Sequence, residues 1–219
     1  MEKDWVGGSA SVFISNGCSN HSKTEREPME FYATDPKAID LLKSKVDLPY
    51  FILEPCCGTG CLSERLKQLG HKVWSYDIVD RGYGDVQNFF EMISLPDSLS
   101  LSLQNGRFER FNENRNNMAI VTNPPYKYAV EVIIHALELC RNGDLVCMFV
   151  KTTFLEGKRR YNELFSQQPP WMVLQFVERI ICAKNGDFEE AKRQGSAVAY
   201  SWVVWKVGYK GKTIVDWLV

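Results

Sequence analysis

The feature that most restricts what this chain can fold into is an alternation, from Phe31 onward, of short continuous apolar runs with stretches of helical periodicity. Pro36 to Lys45 spaces Ala38, Ile39, Leu41 and Leu42 along one face of a short helix, with proline near the first turn, where its missing N–H costs nothing. Tyr50 to Leu53 is then a compact strand. Gly60 to Leu69 has a helical pattern that stops at Gly70, the residue best suited to a left-handed helix end, and His71 to Tyr76 is a second strand. The alternation continues with a strand at Met118 to Thr122 and a helix at Lys127 to Arg141 carrying Val130, Ile133, Ile134 and Leu137 on one face. A strand at Asp144 to Val150 follows the Asn142-Gly143 stop; Gly157 to Phe165 is helical and Val173 to Val177 a strand. Ala197 to Val207, rich in aromatic and β-branched residues, is the last strand. Strands without an outward polar face must be covered on both sides, which predicts an α/β fold: a doubly wound, mostly parallel sheet with ligands at the carboxyl ends of its strands.

With 219 residues, 45% of them hydrophobic, the chain can bury one core, so residues 31–219 are read as a single domain. Residues 1–30, rich in Gly, Ser, Asn and charge, are read as a flexible lead, and Glu91 to Asn117 as an irregular excursion. Lys and Arg number 26 against 27 Asp and Glu, a net charge of −1. No global field draws such a molecule to nucleic acid or to an acidic membrane, so a polyanion must be held by a local patch. The seven cysteines show no disulfide framework, Met1 to Val6 lacks an apolar signal core, and no run approaches a membrane span. A reducing cytoplasm without membrane attachment is expected. The Cys56-Cys57 and Cys61 grouping lacks the second cluster or nearby His of a structural zinc site, so no metal is expected.

Glu54-Pro55-Cys56-Cys57-Gly58-Thr59-Gly60 directly follows the first strand of the sheet and opens a helix. Gly58 and Gly60 let backbone approach a ligand, and the helix start offers free amides. The dinucleotide fingerprint would need a third glycine where Ser63 stands. Instead Glu54 can neutralise a cation, and Asp77, ending the second strand, can take ribose hydroxyls. A positively charged nucleoside, S-adenosylmethionine, suits this pair better than a nicotinamide dinucleotide. The alternative is an ordinary strand-to-helix turn whose cysteines fill small slots.

Asn123-Pro124-Pro125-Tyr126 leaves the Met118 to Thr122 strand stiffly, because two prolines fix φ and remove donors. It offers the Asn123 amide, the Pro124 carbonyl and the Tyr126 ring at the presumed active edge. A purine exocyclic amine is a poor nucleophile because its lone pair is delocalised. Two acceptors on its protons localise that pair, Tyr126 can stack on the base, and alignment supplies the rate without a general base. A merely rigid turn is the competing account.

These segments together resemble the S-adenosylmethionine-dependent amino methyltransferases, and within them the adenine-N6 DNA methyltransferases of the small solitary phage or mobile-element type. The resemblance runs from Phe31 onward and implies a Rossmann-like, seven-stranded class I methyltransferase domain. It implies a cofactor site at Tyr32, Thr34, Glu54, Pro55, Cys57, Gly58, Gly60, Asp77, Ile78, Asn88 and Phe89, and Asn123, Pro124, Pro125 and Tyr126 as the catalytic tetrapeptide. Asn88-Phe89 stands where the family has Asp-Phe, an amide replacing the acid. Phe188 is the expected aromatic against a flipped base. Larger relatives carry a separate target-recognition domain; none is expected here, and selectivity is expected from loops, from the Glu91 to Asn117 excursion, or from a specificity partner or homodimer.

DNA, the expected partner, would be held by Lys151, Lys158, Arg159 and Arg160, with Arg107, Arg110 and Arg115 forming a second cluster. A solvated surface balanced by Glu156 and Glu163 is the alternative. Two other functions are kept open: methyl transfer to RNA adenine or to a protein glutamine amide, and a cofactor-binding interaction module without catalysis.

Overall fold

A computed structural model describes residues 31–95, 117–184, 186–194 and 198–219. The expected lead at 1–30, most of the Glu91 to Asn117 excursion, and Arg107, Arg110 and Arg115 lie outside the described residues.

In chain order the elements are β1 (Tyr32–Thr34), α1 (Lys37–Lys43), β2 (Phe51–Glu54), α2 (Cys61–Gln68), β3 (Lys72–Asp77), β4 (Asp85–Val86) and β5 (Met118–Thr122). They continue with α3 (Ala129–Leu139), β6 (Leu145–Lys151), α4 (Lys158–Arg160), β7 (Met172–Phe176), β8 (Cys182–Lys184), α5 (Phe188–Gln194), β9 (Tyr200–Lys206) and β10 (Ile214–Leu218). The main sheet has eight strands in the order β10-β7-β9-β6-β5-β2-β3-β4. All are parallel except β9, which runs antiparallel between β6 and β7. The doubly wound, mostly parallel expectation is met, with one strand more than expected. Among the described residues, two strands of this sheet were not read as such: β4, only two residues long, and β10, which lies past the last run read as a strand. Its Val215 and Trp217 are exposed at the sheet edge while Leu218 reaches the core, so no buried run announced it.

Alternation along the strands explains the two cores. Ile52, Ala119, Val121, Cys147, Phe149, Leu174, Trp202 and Val204 face α1 and α2, whose Ala38, Ile39, Leu42, Leu62 and Leu66 are buried against them. Leu53, Ile120, Val146, Met148, Val173 and Val203 face α3, which contributes Val132, Ile133, Ala136 and Leu137. Burying one such aliphatic side chain is worth about 1.5–3 kcal/mol, and truncating it costs that plus a cavity. Both buried indoles are paired: Trp202 donates its N–H to the Ala38 carbonyl (2.9 Å), and Trp205 donates to the Gln168 carbonyl (2.8 Å). The predicted Gly157 to Phe165 helix is instead α4 continued by a π turn at Tyr161–Phe165.

One further pairing was not anticipated. β1 and β8 form a separate antiparallel two-stranded ribbon, with Ala33 opposite Ala183 and Thr34 opposite Cys182. It carries Phe31 to Asp35 to the carboxyl ends of the main strands. No helix among the described residues is long and apolar enough to cross a membrane.

Candidate active site

The β2-to-α2 turn is built from positive-φ glycines and short-range hydrogen bonds. Gly58 has φ +55° and Gly60 φ +83°, a left-handed conformation that L side chains resist. The Cys57 amide donates to the Tyr76 carbonyl (2.8 Å). Asp77 accepts from the Gly58 amide through Oδ2 (2.8 Å) and from the Val79 amide through Oδ1 (3.0 Å). The carboxylate that ends β3 therefore holds the glycine turn that ends β2. Ile78 beside it is 65% exposed, an apolar surface at the rim.

Both glycines are roofed by aromatics. A Cβ at Gly58 would stand 2.9 Å from the Phe31 ring, and one at Gly60 only 2.5 Å from the Tyr83 ring. The Arg81 guanidinium lies over the Phe31 ring at 4.4 Å. The Tyr83 hydroxyl donates to Glu64 (2.6 Å) and accepts from Lys67 (2.7 Å), which pins the ring across the first turns of α2. Neither Arg81 nor Tyr83 was among the sequence candidates. The available signal was Arg81-Gly82-Tyr83-Gly84, whose glycines both take positive φ (+77° and +70°) in the loop after β3.

Glu54 faces inward. It is 2% exposed and takes a hydrogen bond from Ser63, whose hydroxyl also meets that of Ser75 (2.6 Å). Burial pushes its carboxyl up to about 8, against which the Ser63 hydrogen bond is the main opposing influence, so Glu54 is largely protonated at neutral pH. Its structural place is behind the turn, on the two serines, and not at the rim beside Asp77. Ser63, where the dinucleotide pattern wants glycine, is thereby explained as the partner of this acid. Pro55 continues the buried end of β2, and Cys57 is buried with its thiol pushed up to about 12, again by burial first. Asn88 accepts from the Phe90 amide (3.1 Å) and donates to Glu91 (3.0 Å), capping a short 3-10 turn that buries Phe89 against His135.

At the end of the neighbouring strand β5, the Asn123 amide nitrogen donates to the Tyr32 carbonyl (3.1 Å) and to the Thr34 hydroxyl (2.9 Å). Both amide protons are thus committed to β1. Pro124 is buried and Pro125 exposed, and Tyr126 begins a 3-10 turn. The Tyr126 ring lies 6.1 Å from that of Tyr32 and 6.3 Å from that of Tyr200, with the Lys151 ammonium 5.0 Å from its centroid. Burial, with Cys182 and Tyr200 beside it, pushes its hydroxyl well above the ordinary phenol value. Tyr200 and Cys182 escaped the sequence reading because nothing local links them to Asn123.

Among the remaining candidates, Arg159 pairs with Glu163 (2.8 Å) and Glu131 (3.1 Å), while Arg160 donates to the carbonyls of Glu156 (2.7 Å) and Thr153 (3.1 Å). Lys158 is exposed at the start of the same segment. Phe188 is half-buried as the first residue of α5. The described residues hold no group of three or more His, Cys, Asp or Glu able to bind a metal ion.

No protein-family model matches the chain, and no curated protein matches it. Solved structures do. The type IIG restriction endonuclease BpuSI superposes with a TM-score of 0.52 at 12% identity, covering 87% of this chain and 27% of its own. Magnesium protoporphyrin IX methyltransferase from Synechocystis, solved with bound S-adenosylmethionine, gives 0.43 at 11% identity, covering 77% of each chain. A candidate class I S-adenosylmethionine-dependent methyltransferase from Listeria monocytogenes gives 0.46 at 11% identity; this chain spans 63% of its length and 84% of itself is covered. Strand order, the one antiparallel strand set between β6 and β7, and helical cover on both faces make the fold Rossmann-like, of the class I methyltransferase kind.

Proposed function

We propose that this chain binds S-adenosylmethionine at the β2 and β3 rim and transfers its methyl group to the N6 amine of adenine in DNA. The observation that carries the proposal is the Asn123 amide. With both protons held by β1, its oxygen is left as an acceptor at the carboxyl end of β5, the strand next to β2.

The residues present fit the cofactor. The left-handed turn at Gly58 and Gly60 lies under the Phe31 and Tyr83 rings, flat faces against which a nucleoside can pack, while Asp77 offers carboxylate lone pairs to ribose hydroxyls and Ile78 an apolar surface to a base. When bound, the cofactor supplies an electrophilic methyl on a sulfonium that leaves as a neutral thioether. Asn123 Oδ1 and the Pro124 carbonyl would accept hydrogen bonds from the amine, favouring the tetrahedral nitrogen of the transition state over the flat ground state, and the methylated nitrogen, cationic on transfer, then sheds one proton to water. The tetrapeptide's fixed backbone supplies orientation, which needs no titrating group. Glu54, neutral and buried, serves the turn and not the reaction. Phosphate would be met by Lys151, whose ammonium lies 5.0 Å from the centre of the Tyr126 ring, and by the exposed Lys158.

The test is radiolabelled methyl transfer to adenine-containing DNA, set beside RNA and a glutamine-bearing protein. Asn123→Ala should lower transfer to DNA by about 100- to 1,000-fold, as loss of one oriented transition-state contact does, while S-adenosylhomocysteine affinity stays near wild type. Transfer to RNA or protein alone, or binding without transfer to any of the three, would replace the DNA reading.

A further inference from the structure

We infer that Thr34 is a positioning residue for the catalytic amide, setting which way Asn123 points through a ribbon that lies outside the main sheet. The inference rests on the methyl-transfer reading for its functional consequence, but its geometric content stands by itself. A carboxamide can be turned so that oxygen and nitrogen exchange places, and only its surroundings decide between the two. Here one neighbour is the Tyr32 carbonyl, which can only accept. Amide oxygen against that carbonyl would be repulsive, so nitrogen must face β1. The Thr34 hydroxyl at 2.9 Å then takes the second proton, leaving Oδ1 with no choice but the opposite direction.

Thr34 can do this because it is itself immobilised. It is 2% exposed, sits in register with Cys182 across the β1–β8 ribbon, and is followed by Asp35, whose amide donates to the Ile181 carbonyl (3.0 Å). Its hydroxyl has a second neighbour in the Cys182 thiol. Asn123 therefore takes its direction from a residue 89 positions earlier, which is held in turn by Cys182 on β8, far beyond Asn123 in the sequence. The Tyr32 carbonyl alone would leave one amide proton unpaired and the side chain free to rotate about that single bond.

Thr34→Val keeps the shape and removes the hydroxyl. It should lower kcat by about 10- to 100-fold with KM for DNA unchanged, the pattern of an interaction lost at the reacting centre. Thr34, expected at the cofactor, is instead 2% exposed with its hydroxyl taken up by Asn123 and Cys182, so S-adenosylhomocysteine affinity should be unaltered, and Thr34→Ser should restore the rate. Thr34→Ala provides the same deletion if the valine protein melts early. Independently of turnover, the Asn123 side-chain amide signal, assigned by its loss in Asn123→Ala, should exchange its protons faster with solvent in Thr34→Val than in wild type. Wild-type kcat in Thr34→Val, a loss of cofactor affinity matching the loss in kcat, or unchanged amide exchange would overturn the inference. Slowly exchanging, Thr34-dependent amide protons in a wild-type protein that methylates nothing would instead leave the placement standing and sink the methyl-transfer reading.

Discussion

The two halves of the candidate site are assembled in opposite ways. The glycine turn is closed by near neighbours: Glu54 to Ser63 nine positions on, Gly58 to Asp77 nineteen positions on, and left-handed backbone at Gly58 and Gly60. The Asn-Pro-Pro-Tyr loop is held by residues far along the chain, with Asn123 tied to Tyr32 and Thr34 and Tyr126 packed against Tyr200. A locally closed turn keeps its shape as soon as β2, α2 and β3 have formed. The Asn-Pro-Pro-Tyr loop acquires its final form only when β1 and β9 have docked as well.

Three measurements can break or sharpen that contrast, and the largest effect belongs to the local half. Gly60→Ala puts a side chain at φ +83° and a Cβ 2.5 Å from the Tyr83 ring. It should destabilise the fold by about 1–3 kcal/mol in urea unfolding and weaken S-adenosylhomocysteine binding in calorimetry, as expected for a strained non-glycine residue. Unchanged binding would place the cofactor away from the turn.

A smaller effect follows from the buried acid. Because burial raises the Glu54 carboxyl to about 8, the folded state holds a proton that the unfolded state releases at the ordinary carboxylate value of 4.5. Its contribution to stability is complete below that lower value and is lost as pH rises through about 8. Unfolding midpoints followed across that interval should therefore fall with pH in the wild type and change less in Glu54→Gln. A wild-type profile that climbs instead would mean an ionised, paired Glu54.

The smallest change is expected at the rim. Arg159 is exposed and already paired with Glu131 and Glu163. Arg159→Ala should leave the melting temperature indistinguishable from wild type. If Arg159 also meets phosphate, the slope of log affinity for DNA against log salt should drop by about 1 in the variant. An unchanged slope assigns the arginine to its glutamates alone.

The same contrast explains what could be read in advance. Met118 to Thr122 was legible to the residue because a fully buried strand is a continuous apolar run bounded by Asn117 and by prolines. The glycine turn and Asp77 were legible because their partners lie within one strand-helix-strand unit. The inward direction of Glu54 was not, since an acid beside a glycine turn reads as a ligand contact unless Ser63 and Ser75 are known to meet it. β10 was missed because its Val215 and Trp217 remain exposed. The β1–β8 ribbon was missed because three-residue strands pairing across the length of the chain leave no periodic trace. Asn123, found from its neighbours in sequence, owed its orientation to residues that were not among them.

The reversed direction of β9 has a bearing on how such a protein diversifies. Because it enters the sheet beside the ends of β6 and β7, the chain from Val177 to Ala199 both begins and finishes at the carboxyl rim. Exchanges in α5 leave the rungs of the central ladder untouched, whereas β8 in the same stretch holds Thr34 through the β1 ribbon, so one excursion joins a segment open to variation with one that is not.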